Sequence, residues 1–323
     1  MTCFPKATSS LFFVQSSGGS AAYVLLFYRK KQQANYGKNM TDIVRLLGVK
    51  GGPSLWPNSN MPTSNLLSIG GMNILVDAGL GVSKAISEAG IFLADIDAIF
   101  ITHMHSDHYL ELGPLLHTTW VSGQKLPIPV YGPSRLKHYL DHFLISMEDD
   151  IDLRINDEGR QDISNLISFT PLAENTAIDI GSVKVTNMKN IHPPLTDSYA
   201  LRFDWQEKSV VMSGDTAFMP EMIVFAQDAD LLVHEAMLSE GIDLIMSRQP
   251  KADDRLKQHL MRSHTLANDV GTIATKANVK RLALNHLVPD GFQEISDKNW
   301  EEAVRPTWSG TLFVGRDGMT ITL

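Results

Sequence analysis

The segment ITHMHSDHYLEL, residues 101–112, places His103, His105, Asp107 and His108 within six positions, directly behind the apolar run AIFI. Imidazole and carboxylate are preferred ligands of zinc and related divalent metals. A loop that leaves the carboxyl end of a buried strand is where sheet-based enzymes collect such groups. His103 and His105, two apart, project together from extended backbone, and Asp107 and His108 follow as a helix begins. This spacing suits two metal ions, which together need roughly eight ligand positions, more than one loop supplies. Further His and Asp residues should therefore stand at other strand ends. They do: His192 lies in NIHPPLTDSYALRF, Asp215 closes SVVMSGD and His286 closes RLALNH.

Around these anchors, short apolar runs alternate with amphipathic stretches, the pattern of an α/β (α+β) chain in which strands and helices share layers. Strands are predicted at Ile43–Val49, Asn73–Asp77, Ala98–Thr102, Val130–Tyr131, Ser209–Ser213, Leu231–His234 and Leu282–Asn285. Helices are predicted near 83–89, 108–121, 134–147, 217–227 and 265–277, the last with Thr265 as N-cap. Asp317-Gly318 between β-rich runs signals a two-residue hairpin. The acidic window 148–180 is expected to be a solvated excursion with one or two strands. No repeat or linker divides the chain after Met40, so 40–323 is expected to form one domain. Residues 1–39 read as an N-terminal extension. Their apolar run AAYVLLFY is too short to span a bilayer, which takes about 20 residues, and its flanks are in the wrong order for a secretory signal.

The formal charge is −8, and Cys3 is the single cysteine. One cysteine rules out an intramolecular disulfide framework and an all-thiolate metal site. The acidic balance argues against a general nucleic-acid binder, whose affinity comes from basic groups facing phosphates. The chain is expected to act in the cytoplasm on a small molecule, with nucleic acid an unlikely partner and no membrane contact.

The order H-x-H-x-D-H, single His, G-D-T, final His resembles the metallo-β-lactamase superfamily of binuclear hydrolases, from about residue 42 to the end. The resemblance implies a four-layer αββα sandwich with the metals at one edge between the sheets. One metal would be held by His103, His105 and His192 and the other by Asp107, His108 and His286, with Asp215 bridging and Asp77 supporting the loop from behind. Two Zn²⁺ are implied, with Mn²⁺ or Fe occupying related sites. DADLLVHEAM and RSHTLANDVGTIATKANVKRLALNHLVP are similar to segments of two subgroups, arylsulfatases of this fold and ribonucleases Z. There a His-Glu pair and a further histidine approach the metals, here His234, Glu235 and His264. The segment HPPLTDSYALRFD looks more like the arylsulfatase pattern, and dimers are common in both groups, so a homodimer is compatible with the resemblance.

The reading that follows is a binuclear zinc hydrolase of small esters, an aryl sulfate or a phosphodiester, attacking with a hydroxide shared by two metals. Asp107 would orient that hydroxide, and His264, with Glu235 fixing His234 nearby, would protonate a poor leaving group. The alternatives are a ribonuclease Z-like tRNA 3′-processing endonuclease, a β-lactam or lactone hydrolase, and a non-enzymatic metal-binding protein. His117, His138, His142 and His259 read as surface or packing residues. Trp56 reads as a core anchor or a substrate contact, and Met219, Met222 and Met237 as gap fillers or an apolar wall for an aromatic substrate.

Overall fold

The computed structural model describes residues 41–248 and 253–323; the extension expected at 1–39 lies outside them. The chain first lays down β1 (Ile43–Gly48), β2 (Ser64–Ile69), β3 (Met72–Val76), β4 (Ala98–Phe100), β5 (Ile128–Gly132) and β6 (Ile167–Pro171). It continues with β7 (Ala177–Ile180), β8 (Val183–Lys189), β9 (Tyr199–Trp205), β10 (Lys208–Met212), β11 (Leu231–Met237), β12 (Arg281–Val288), β13 (Thr311–Val314) and β14 (Met319–Thr322). Two seven-stranded sheets result, ordered β14-β1-β2-β3-β4-β5-β6 and β13-β12-β11-β10-β9-β8-β7. In each, one half is parallel: β3 to β6 in the first sheet and β10 to β13 in the second.

Strand alternation sorts the side chains into layers. On β2, Leu67 and Ile69 join Val185, Leu201 and Phe203 in the core between the sheets, while Leu66 packs outward with Ile86, Leu112 and Leu115. Over the second sheet, the helices Ala267–Lys276 and Asp297–Val304 bury Val270, Ile273, Trp300 and Val304. Both faces of each sheet are thus covered, which is why the parallel strands read as continuous apolar runs. The layers are helix, sheet, sheet, helix, the αββα sandwich expected. Among the described residues no helix is long and apolar enough to cross a membrane.

Several local expectations are corrected. Asp317-Gly318 does not close a hairpin, since β13 pairs with β12 in the second sheet and β14 pairs with β1 in the first. The Asp317 carboxylate instead accepts the backbone N–H groups of Val49 at 3.2 Å and Met61 at 2.7 Å, fixing a crossover between sheets. The window 148–180 opens with a helix, Glu148–Glu158, before β6 and β7. Its sole buried residue, Ile151, packs with Trp120, Ile163 and Leu166, so a narrow apolar stripe is masked by charge. The helix expected at 108–121 is two, Ser106–Tyr109 and Leu112–Val121, and that at 217–227 shrinks to Glu221–Phe225. Thr265 does not cap the following helix, whose N-cap is Leu266; its hydroxyl donates to the Thr216 carbonyl at 2.7 Å.

Candidate metal centre and catalytic cavity

Both sheets send loops from strand carboxyl ends to one place, most of them from their parallel halves. β4 delivers His103 and His105 and the short helix carrying Asp107 and His108; the turn after β8 delivers His192, and the loop after β10 delivers Asp215. His286 lies within β12 rather than beyond it. The pairing of β11 with β12 shifts register there, and His286 adopts a φ of 42°. Such a bulge re-aims one side chain out of the ladder.

On one side of Asp215, His103 Nε2 and His192 Nε2 stand 3.5 and 3.7 Å from Oδ2. His105 Nδ1 is 3.2 Å from the first of these nitrogens and 2.9 Å from the second. On the other side, His286 Nε2 lies 3.1 Å from Asp215 Oδ2 and 3.2 Å from Asp107 Oδ2, and His108 Nε2 lies 3.4 and 3.6 Å from the same atoms. Within each of the groups His103/His105/His192/Asp215 and Asp107/His108/His286, one donor atom per residue falls within 4.8 Å of the others. His108 Nε2 and Asp215 Oδ1 are buried without a hydrogen-bond partner among the described residues. Two orphaned buried atoms amid a nitrogen and oxygen donor set are what a divalent metal site presents, and the residues fit one.

The cluster is braced from behind. Asp77, buried and at φ 63°, accepts Thr102 N–H at 2.8 Å and places its other oxygen 2.8 Å from His108 Nδ1, turning His108 Nε2 inward. His192 Nδ1 donates to the Ser263 carbonyl at 2.9 Å, and Gly52 N–H donates to Asp107 Oδ2 at 2.8 Å. Gly79 lets the loop pack closely, because a Cβ there would meet the Asp107 carbonyl oxygen at 2.5 Å. Burial pushes His103 well below the ordinary imidazole range and His192 down to about 4, so both are neutral donors at pH 7. For His108 burial is outweighed by Asp215, Asp77 and Asp107, which hold it well above that range. Asp215, although buried, is held well below the carboxylate range by His286, His108 and His103.

Glu235 and His264 form a second, adjoining unit. His264 Nδ1 lies 3.0 and 3.1 Å from the two Glu235 oxygens, and Glu235 also accepts Thr216 N–H at 2.7 Å. Burial opposes the His264 charge, yet Glu235 raises the imidazole to about 9. The expected pairing of Glu235 with His234 is corrected: consecutive strand residues face opposite ways. His234 Nδ1 instead donates to the Glu235 backbone carbonyl at 2.7 Å. Burial lowers that ring to about 4.

A cavity of about 270 Å³ opens from the cluster, lined by His105, Asp107, Asp215, His264 and His286 at its floor. The partly exposed Trp56, Arg248 and Phe292 line it farther out, and His259 and the nearly buried Lys50 line it too. Of these, sequence reasoning raised only Trp56 as a contact. His259, expected to be a packing residue, has its ring 5.8 Å from that of His105. The helix that carries it, Asp254–Ser263, is strongly amphipathic, and that pattern could have placed one face toward the site. Met219, Met222 and Met237 are buried in the core and are not among the cavity's lining residues.

This fold and donor cluster are those of a metal-dependent hydrolase of the metallo-β-lactamase fold. Residues 45–265, more than half of the chain, match the family described as Anti-Pycsar protein Apyc1, and the chain belongs to it. Its likeness within the superfamily is to the ribonuclease Z-like subgroup. It is 28% identical over 277 residues to ribonuclease Z of Mycobacterium bovis, covering 85% of this chain and 95% of that one. Ribonuclease Z of Mycobacterium marinum is likewise 28% identical over 277 residues, covering 85% and 96%. Among solved structures, the metallo-β-lactamase fold protein YhfI from Bacillus subtilis superposes with a TM-score of 0.64 at 23% identity, over 87% of this chain and 100% of that one. The short form of human tRNase Z gives 0.60 at 21%, over 87% and 98%. The expectation that nucleic acid is an unlikely partner is corrected by these ribonuclease relatives. A charge of −8 sums the whole surface and does not describe a local cavity that carries Lys50 and Arg248.

Proposed function

We propose that the chain is a phosphodiesterase that cleaves RNA, in the manner that the name of its ribonuclease Z relatives implies, with residues 40–323 as its hydrolase domain. The observation that carries this reading is His264, which lines the cavity beside the donor cluster with Glu235 held behind it. An aryl oxide leaves unaided, whereas a ribose oxygen needs a proton, and a buried imidazole backed by a carboxylate is a device for giving one. The relatives shift the reading from aryl sulfate to RNA phosphodiester.

We assign two zinc ions to the cluster: His103, His105 and His192 would hold one and Asp107, His108 and His286 the other, with Asp215 within reach of both groups. Divalent metals in such a site bring the pKa of a coordinated water towards about 7 and draw charge from the attacked centre. The protein's own groups do the rest. Asp107, fixed by Gly52 N–H, orients the attacking water. His264 gives its proton from Nε2 to the departing oxygen while Glu235 holds Nδ1, and burial of the floor excludes competing solvent.

The test is incubation of the zinc-loaded protein with a precursor tRNA bearing a 3′ trailer, beside bis-p-nitrophenyl phosphate. Cleavage of the RNA supports the reading. Turnover of the aryl phosphodiester with the RNA left intact would overturn its RNA half.

A further inference from the structure

The mouth of the cavity contains two cations that the reaction does not use. Arg248 lies over two aromatic rings, its guanidinium carbon 3.6 Å from the centroid of Phe292 and 5.2 Å from that of Trp56. Its Nη2 donates to the Gly291 carbonyl at 2.7 Å, while Nη1 is buried without a hydrogen-bond partner among the described residues. Lys50, only 4% exposed, donates from Nζ to the carbonyls of Gly51 at 2.8 Å and Gly52 at 3.0 Å. An ammonium has three N–H donors, so one remains. Neither cation has a carboxylate within ion-pair distance among the described residues, where many surface lysines and arginines do, although Asp290 lines the same cavity and Asp290 and Asp107 both act on Lys50 at longer range. A buried guanidinium N–H left unmade costs free energy that an anion would recover. Trp56 lines the same cavity and keeps 38% of its surface exposed with Arg248 over its ring. An exposed indole at the mouth of a largely apolar cavity that also carries cations is a stacking platform for a base.

We propose that the mouth of the cavity is a nucleotide subsite, in which Arg248 and Lys50 hold a phosphate flanking the one that is attacked and Trp56 stacks the base between them. This rests on the phosphodiesterase reading and deepens it. A small aryl ester offers a ring but no second phosphate, whereas a ribonucleotide chain offers both.

The experiment is calorimetric titration of the zinc-loaded protein with a nucleoside 3′,5′-bisphosphate, the matching 5′-monophosphate, and ribose 5-phosphate. The bisphosphate should bind at least about tenfold more tightly than the monophosphate. The monophosphate should exceed ribose 5-phosphate by about five- to a hundredfold, the range for one stacked base. Arg248→Gln should erase the first ratio and Trp56→Leu the second, each leaving the other ratio in place. Ratios near one in the wild-type protein, or ratios that survive these substitutions, would overturn the subsite. Turnover of bis-p-nitrophenyl phosphate is measured alongside, so that the two readings fail separately. Ratios without turnover would uphold the subsite and defeat the catalytic reading; turnover without ratios would overturn the subsite alone.

Discussion

The floor and the mouth of the cavity are built on different principles. At the floor, seven His and Asp side chains converge, and three of them are braced from behind, His108 by Asp77, His192 by Ser263 and Asp107 by Gly52. At the mouth, Trp56 is partly exposed, and Arg248 is steadied by two rings and one carbonyl. A floor of this kind serves chemistry that depends on tenths of an ångström, and a mouth of this kind serves selection among substrates. The contrast explains how one donor cluster is compatible with many substrates across a fold, since what differs is carried by the rim.

The largest effect that would break this contrast belongs to Asp215, which both halves of the cluster share. Asp215→Ala should lower kcat/KM by on the order of 10³-fold or more, as expected when one member of a concerted unit is removed. Bound zinc, read by mass spectrometry of the desalted protein, should fall with it; full metal content in an inactive variant would separate binding from catalysis at this residue. Next, His264→Ala should cost on the order of 10²-fold on a substrate with an alkoxide leaving group and far less on a p-nitrophenyl diester. Equal losses on both would remove the proton-donor role.

Behind the floor, Asp77→Asn should weaken zinc binding about 10- to 100-fold, measured by competition with a chelator, because it loosens His108 without removing a donor. His234 offers a test that depends on pH. Its folded value of about 4 lies below the ordinary 6.5 of imidazole, so the ring is buried neutral. The stability this allows is present above about pH 6.5 and is lost as the pH falls towards 4, by at most a few kcal/mol. Melting curves of wild type and His234→Asn should therefore converge as the pH drops through that window, and parallel curves would exclude His234 as the cause. The smallest effect is at the mouth: Trp56→Leu should change folding stability by no more than about 0.5 kcal/mol. A larger loss in thermal melting would make Trp56 part of the core rather than of the rim.

The floor was legible in the sequence because its members follow strands, and an apolar run that ends in His or Asp is a local signal. The structure brings together His103, His105, Asp107, His108, His192, Asp215 and His286, the set that the resemblance implied. The mouth was not legible. Lys50, Arg248 and Phe292 are ordinary residues in three separate segments, brought together only when the sheets have stacked, and nothing in their neighbours announces it. Glu235 shows the intermediate case. Its importance could be read beside His234, but its true partner, His264, followed from which face of β11 each residue occupies. The fold class was visible through the alternation of apolar runs, whereas the fate of Asp317-Gly318 depended on which sheet β14 would choose. A two-residue turn signal carries no information about that choice.

That choice has a consequence for how the molecule is made. β1 has β2 on one side and β14 on the other, so one edge of an early strand waits for a partner from the far end of the sequence. During synthesis this edge is an unpaired row of N–H and C=O groups beside apolar Val44 and Leu46, the kind of template that recruits a neighbouring chain. A nascent polypeptide with this arrangement gains from being shielded until the final strand emerges, and a slow ribosome late in the message would lengthen its exposure.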